Sequence, residues 1–175
     1  LMDCPEPMSG NREPYLKYLV EALHRAASAV EGGTLALFTN YSDLQHAYHH
    51  LLPRWKKMGR SVYAQGEGHS RSDLRAKLIE EGDALLLGAE SFWKGFDAKG
   101  PCLSQVIITR LPFENPSHPV MEAKTEILAE AGKSSFIELT LPSAVTRFRQ
   151  GIGRLIRSKT DVGDLLIMDS RILTK

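Results

Sequence analysis

Thr34-Leu35-Ala36-Leu37-Phe38-Thr39-Asn40-Tyr41-Ser42-Asp43 is the stretch on which the fold reading turns. A short apolar run ends in polar Thr39-Asn40, and Ser42-Asp43 then opens a helical pattern that Pro53 is expected to end or kink. Strand followed directly by helix is the order this predicts. Upstream, Leu16, Leu19, Val20, Leu23 and Ala27 recur at helical spacing between Tyr15 and Val30, and Gly32-Gly33 stops that helix. Residues 1–14 carry Pro5, Pro7, Ser9, Gly10, Asn11 and Pro14, a composition for an extended segment ahead of a single domain over 15–175.

The alternation repeats downstream. Ser61 to Ala64 reads as a strand before a helix over Ser72 to Glu81, and Ala84 to Leu87 as a strand before a loop. Gln105 to Thr109 precedes a helix over Pro119 to Ala131; Phe136 to Leu139 reads as a strand before a helix from about Pro142 to Arg157; Asp164 to Met168 closes as a strand. Strands alternating with helices predict an α/β domain whose parallel sheet is covered on both faces. In such sheets ligands sit beyond the carboxyl ends of the strands. Three segments fall there: Thr39-Asn40-Tyr41, Gly88 to Asp97, and Arg110 to Phe113.

With 175 residues, 42% apolar and 25% charged, the composition is that of one well-buried globular domain. A net charge of +1 supplies no global pull towards nucleic acid, so such binding would need a local patch. Cys4 and Cys102, far apart, exclude a disulfide scaffold and a cysteine-only metal site and fit a reducing cytoplasm. No apolar run is long enough to span a membrane. A chain that begins with Leu and ends close behind a strand-like run reads as a piece of something longer.

Chemistry concentrates in Gln150-Gly151-Ile152-Gly153-Arg154-Leu155-Ile156-Arg157. On a continuous helix Gln150, Arg154 and Arg157 would fall within roughly 60° of one another, with Val145, Phe148, Ile152 and Ile156 opposite. Two planar, permanently charged guanidinium forks suit polyanionic phosphate, and Gly153 would admit a ligand or backbone closely. A solvated charged face is the competing reading. The loop Gly88 to Gly100 adds glycines, Phe92, Trp93, Phe96 and Asp97. Its aromatics could stack on bases or fill the core, and Asp97 could meet a ribose hydroxyl or magnesium-bound water, or cap a turn.

Other constellations are weaker. His46 and His50 have the i, i+4 spacing of a zinc pair, but no glutamate lies between them and no third ligand is near, so no metal site is expected. Gly66 to Arg71 could cradle phosphate or simply lead into a helix capped by Ser70 or Ser72. No G-x-S-x-G elbow occurs, and Cys102 has no paired histidine. Nor does a G-x-x-x-x-G-K-[ST] phosphate loop. Arginines without such a loop suit the second half of a bipartite phosphoryl-transfer site.

These residues together resemble the superfamily 2 DNA helicases of the DinG and XPD type, specifically their C-terminal RecA-like motor domain, from about Gly33 to Lys175. Leu35 to Tyr41 (LALFTNY) resembles motif IV, Ser91 to Gly100 (SFWKGFDAKG) motif V, and Gln150 to Ser158 (QGIGRLIRS) with Thr160-Asp161, Gly163 and Asp169-Ser170-Arg171 motif VI and its trailing strand. Leu103 to Phe113 is similar to the family's intervening stretch, and the ending Ile172 to Lys175 resembles the bacterial DinG form. The resemblance implies a three-layer RecA-like domain with a mostly parallel central sheet flanked by helices. It also implies that Gln150, Gly153, Arg154 and Arg157 face ATP and Mg2+ held mainly by a first motor domain elsewhere in the polypeptide. Arg154 or Arg157 would be the finger on the γ-phosphate, and Gly95 and Asp97 would lie on the nucleotide side. Thr39, Ser91, Phe92 and Trp93 would lie towards a single-stranded DNA track. Any iron-sulfur cluster would belong to the first motor half. Lys94 departs from the glutamate usual in the family. The alternative is a catalytically silent RecA-like module used for nucleic-acid binding or assembly.

Overall fold

The computed structural model describes Pro5 and residues 12–93, 96, 102–114, 119–156 and 161–173. Five short strands form one sheet: β1 Thr34–Leu37, β2 Val62–Ala64, β3 Leu85–Gly88, β4 Gln105–Ile108 and β5 Asp164–Ile167, in the order β2-β3-β1-β4-β5. All four pairings are parallel, and β1 at the centre aligns Thr34 with Leu85 on one side and Gln105 on the other. The order places the chain reversal at β1, which is where a crevice opens in sheets of this kind.

The helices are α1 Glu13–Ser28, α2 Tyr41–Lys57, α3 Arg71–Glu81, α4 Glu90–Trp93, α5 Pro119–Glu130 and α6 Leu141–Ile152. Successive strand residues point to opposite faces, and two buried clusters follow that period. Ala36 and Phe38, with Leu85, Leu87 and Ile107, pack against Leu19 and Leu23 of α1 and Leu44, Leu51 and Trp55 of α2. Leu35 and Leu37, with Leu86, Val106 and Ile108, pack against Leu74 and Leu78 of α3, against Phe92 and Trp93, and against Phe148 and Ile152 of α6. Strands buried on both faces read as continuous apolar runs. The α/β layering expected from the alternation is therefore observed, and the sheet is wholly parallel.

Four local expectations are corrected. Helix α1 begins at Glu13, ahead of Tyr15, with Pro14 in its first turn, where a missing N–H costs nothing. Helix α2 continues through Pro53 to Lys57, because Trp55 beyond it is fully buried and holds the last turn in place. The run Phe136 to Leu139 is no strand. It lies in a π-helix, Phe136–Thr140, that passes directly into α6; Phe136 and Ile137 are more than half exposed, with no sheet face to bury them. Three apolar residues in a run of four, with Glu138 among them, cannot by themselves distinguish strand from helix. Finally, α6 stops at Ile152 rather than Arg157, with Gly153 as its cap.

Candidate functional site

The carboxyl ends of β1 and β3 carry two of the sequence segments, and the residues after α6 reach the second of them. Beyond β1, Asn40 caps α2 by accepting from the Ser42 N–H at 2.8 Å, which leaves Thr39 exposed at the rim. Beyond β3, Ala89 N–H donates to Gln65 Oε1 at 2.9 Å, and the chain folds at once into the single turn of α4. Gly88 makes this possible: a Cβ built there would lie 2.4 Å from Phe92 Cγ.

Within α4 the side chains divide by burial. Ser91 is exposed. Phe92 is fully buried and its ring lies 4.8 Å from that of Phe96. Trp93 is 4% exposed, and its indole N–H donates to the Phe38 carbonyl at 2.8 Å. Of the two readings of these rings, core and base-stacking platform, the structure places both in the core, because their faces are covered by the sheet and α6. Lys94, Gly95 and Asp97 lie outside the described residues.

Helix α6 is anchored at both ends. Ser143 Oγ donates to Glu114 Oε1 at 2.9 Å, and Arg147 pairs with Glu114 at 3.2 Å and with Glu90 at 3.8 Å. At the far end the backbone tightens: Gly153 N–H reaches Arg149 O, Arg154 N–H reaches Gly151 O and Leu155 N–H reaches Ile152 O. The helical projection that grouped Gln150, Arg154 and Arg157 on one face therefore ends at Ile152, and Val145 and Ile156 are exposed rather than packed. Arg157 lies outside the described residues. Among the described residues Gln150 Oε1 is buried without a hydrogen-bond partner.

Arg154 turns inward. Its Nη1 donates to the Phe96 carbonyl at 3.1 Å and its Nη2 to the Trp93 carbonyl at 3.3 Å. Burial, and then the charge of Arg71, lower its pKa from the ordinary arginine value. Arg71, at the start of α3, grips the same turn from the other side by donating to the Ser91 carbonyl at 3.2 Å.

The glycine that matters for close approach is Gly151, since a Cβ there would stand 3.0 Å from the Trp93 ring and 3.1 Å from Leu37. At Gly153, the glycine expected to fill this role, a Cβ would meet only carbonyls of its own helix. Gly88, Arg71 and Gly151 each fell within a segment marked in the sequence, but the sequence did not give Arg71 or Gly151 the role seen here.

The remaining candidates resolve into local structure. The Gly66 to Arg71 loop ends in a capping box: Ser70 Oγ accepts the Asp73 N–H while Asp73 Oδ2 accepts the Ser70 N–H. Gly66 has φ 92°, and a Cβ there would overlap the Tyr41 hydroxyl, so its role is to admit that ring. His46 and His50 stack with ring centroids 4.2 Å apart on α2. Among the described residues no group of three histidine, cysteine or acidic side chains could hold a metal ion. Beyond β4 and β5, buried Asp169 accepts from the Leu111 N–H at 2.9 Å and from Arg171, and buried Asp43 pairs with Arg12 and, at 3.8 Å, with Arg110. No helix among the described residues is long and apolar enough to cross a membrane.

Known proteins resemble this chain in sequence and in fold. A family described as "Helicase C-terminal domain" matches residues 23–175. A Bacillus subtilis protein named 3'-5' exonuclease DinG is 42% identical over 141 residues, covering 80% of this chain and 15% of that protein. A Haemophilus influenzae protein named ATP-dependent DNA helicase YoaA is 34% identical over 165 residues, covering 94% of this chain and 25% of its own length. The chain thus spans a quarter or less of these relatives. Among solved structures, an XPD helicase superposes with a TM-score of 0.76 at 17% identity, over 99% of this chain and 31% of that one. A second, Xpd4 of S. tokodaii, gives 0.69 at 20% identity over 95% of this chain and 32% of that one. These likenesses show the RecA-like α/β fold. With the family match over most of its length, the chain belongs to the helicase C-terminal domain family.

Proposed function

We propose that this chain is the second motor domain of an ATP-dependent DNA helicase of the DinG type. The observation that carries the reading is the convergence of three segments at the carboxyl end of a parallel sheet. The β1 rim, the α4 turn and the end of α6 meet there, in a chain whose sequence holds arginines but no phosphate loop. Gln150 is compatible with it: among the described residues its buried amide oxygen has no hydrogen-bond partner.

In this proposal ATP and Mg2+ bind mainly to a first RecA-like domain of the same polypeptide. Gln150 and an arginine of the Arg154/Arg157 pair face the triphosphate, with Gly153 and the motif V residues Gly95 and Asp97 nearby. The arginine stabilises charge developing on the transferred phosphoryl group. On the other side of the α4 turn, exposed Thr39 and Ser91 meet the backbone of single-stranded DNA without reading its sequence. Buried Phe92 and Trp93 support that contact from beneath. Cleft closure on ATP and reopening on hydrolysis move the enzyme along the strand, 5′ to 3′.

Two measurements test this. The purified chain alone is expected to hydrolyse no ATP, since half the site is absent; turnover that survives removal of contaminating ATPases refutes it. In the full-length protein, Arg157→Ala is expected to remove most DNA-stimulated turnover while ATP binding persists. Undiminished turnover takes the finger role away from Arg157. The silent-module alternative predicts no DNA-stimulated turnover in the full-length protein at all.

A further inference from the structure

Gln65 is the first residue beyond β2, and its polar groups are turned to the ends of the neighbouring strands. Its N–H donates to the Leu87 carbonyl at 3.0 Å, which carries the sheet ladder one residue past β2. Its side-chain Oε1 accepts the Ala89 N–H at 2.9 Å, just beyond β3. Its backbone carbonyl accepts the Tyr41 hydroxyl at 3.1 Å, at the start of α2 beyond β1. In the order β2-β3-β1 that last bond reaches past the middle strand. Gly66, with φ 92°, makes it possible, since a Cβ there would stand 1.7 Å from the Tyr41 hydroxyl oxygen. Gln45 Nε2 donates to the same hydroxyl at 3.1 Å and fixes its direction. Ala89 precedes α4 and has no side-chain oxygen with which to satisfy an N–H locally, so the acceptor comes from a residue 24 positions away.

We infer that Gln65 is a positioning residue that bridges the rims of β1 and β3 and so sets the spacing of Thr39 and Ser91 where they meet single-stranded DNA. Thr39 lies two residues before Tyr41 and Ser91 two after Ala89, and both are exposed. The ladder between β1 and β3 ends where Phe38 N–H donates to the Gly88 carbonyl at 2.8 Å. Beyond that bond the two chains part into α2 and α4, and Gln65 joins them from the β2 side. It is half-buried and works through the residues that it holds. An amide suits the task because it accepts a hydrogen bond without charge. A carboxylate would accept the same N–H but set a negative charge behind a rim that meets phosphates. This assignment rests on the helicase reading above.

The experiment uses the full-length protein and oligo-dT as the DNA probe. ATP turnover is followed against oligo-dT concentration for the wild type, Gln65→Met, Gln65→Glu, Tyr41→Phe and the Gln65→Met/Tyr41→Phe double variant, with the thermal midpoint of each recorded. Methionine keeps the length of the side chain but has no oxygen. Half-saturating oligo-dT is expected to rise about fivefold for Gln65→Met and about threefold for Tyr41→Phe, each the scale of one neutral hydrogen bond. KM for ATP should hold in both. The double variant should show less than the product of the two effects, because both open one bridge. Gln65→Glu keeps the acceptor and should stay within about twofold of the wild type at high ionic strength, where its charge is screened. Tyr41→Phe alters an exposed hydroxyl and keeps the test open should Gln65→Met fail to fold. Unchanged half-saturating oligo-dT in Gln65→Met or in Tyr41→Phe, with or without a lower thermal midpoint, overturns the inference in favour of a merely structural role. A KM for ATP that rises in step, or a glutamate variant as impaired as methionine at high ionic strength, overturns it as well. A wild-type enzyme that oligo-dT does not stimulate overturns the helicase reading itself, and is told apart because it needs no variant.

Discussion

Replacing Trp93 with alanine separates the two readings of the motif V aromatics by magnitude. The side chain is 4% exposed, so truncation removes a nearly whole indole from a packed site, a loss of about 3 to 5 kcal/mol. It also strips Phe38 O of the indole donor at 2.8 Å, and an unpaired buried carbonyl adds about 1 kcal/mol. The sum, about 4 to 6 kcal/mol, corresponds to a fall of roughly 10 to 20 °C in Tm for a domain of this size. A ring standing on the surface to stack on bases would instead cost about 1 to 3 kcal/mol in DNA affinity and at most about 0.5 kcal/mol in stability. Thermal unfolding of the chain followed by circular dichroism reads the first quantity, and single-strand binding by the full-length protein reads the second. A shift in Tm below about 3 °C accompanied by a clear loss of DNA affinity would refute the core assignment.

Two further outcomes follow from the same geometry. Gly88→Ala should destabilise by about 1 to 3 kcal/mol, because its new methyl would lie 2.4 Å from Phe92 Cγ and 2.6 Å from Phe92 Cβ. A urea midpoint unchanged from the wild type would show that this space is open. Asp169 gives a pH signature. Burial alone would raise its pKa, but hydrogen bonds from the Arg171 side chain and from the Leu111 and Arg171 N–H groups, with the Arg171 charge, outweigh it and hold the carboxyl below 3.8. A depressed carboxyl contributes stability above the unfolded pKa and loses it as pH falls through the folded one. The Tm difference between wild type and Asp169→Asn should therefore be constant above about pH 5 and shrink below about pH 4; a difference independent of pH down to pH 2 would contradict this.

Much of the domain was legible because its signals are local. Apolar runs at β1, β3 and β4, each followed by polar or glycine-rich residues, mark strands and their carboxyl ends without knowledge of what they pair with. The misreadings share a cause. Phe136 to Leu139 has strand-like composition, but its state is decided by whether a sheet edge is available to receive it, and it is helical. Pro53 breaks a helix in isolation, yet buried Trp55 overrides it. The arginine projection failed where Gly153 ended α6, which moved Arg154 off the presumed face.

From the sequence alone came the five strands of the sheet and the long helices between them, apart from the false strand at Phe136 to Leu139, and the place of Thr39 and Ser91 beyond strand ends. Periodicity and turn chemistry act over a few residues, and a chain carries them before it folds. The tertiary structure decided where individual side chains point. The Trp93 indole finds its acceptor 55 residues away at Phe38, and the Arg154 guanidinium finds its own 58 residues away at Phe96. Neither direction is written in local spacing. A ring or a guanidinium goes wherever the packed sheet and helices offer a cavity and a matching acceptor, and those exist only once the layers have closed.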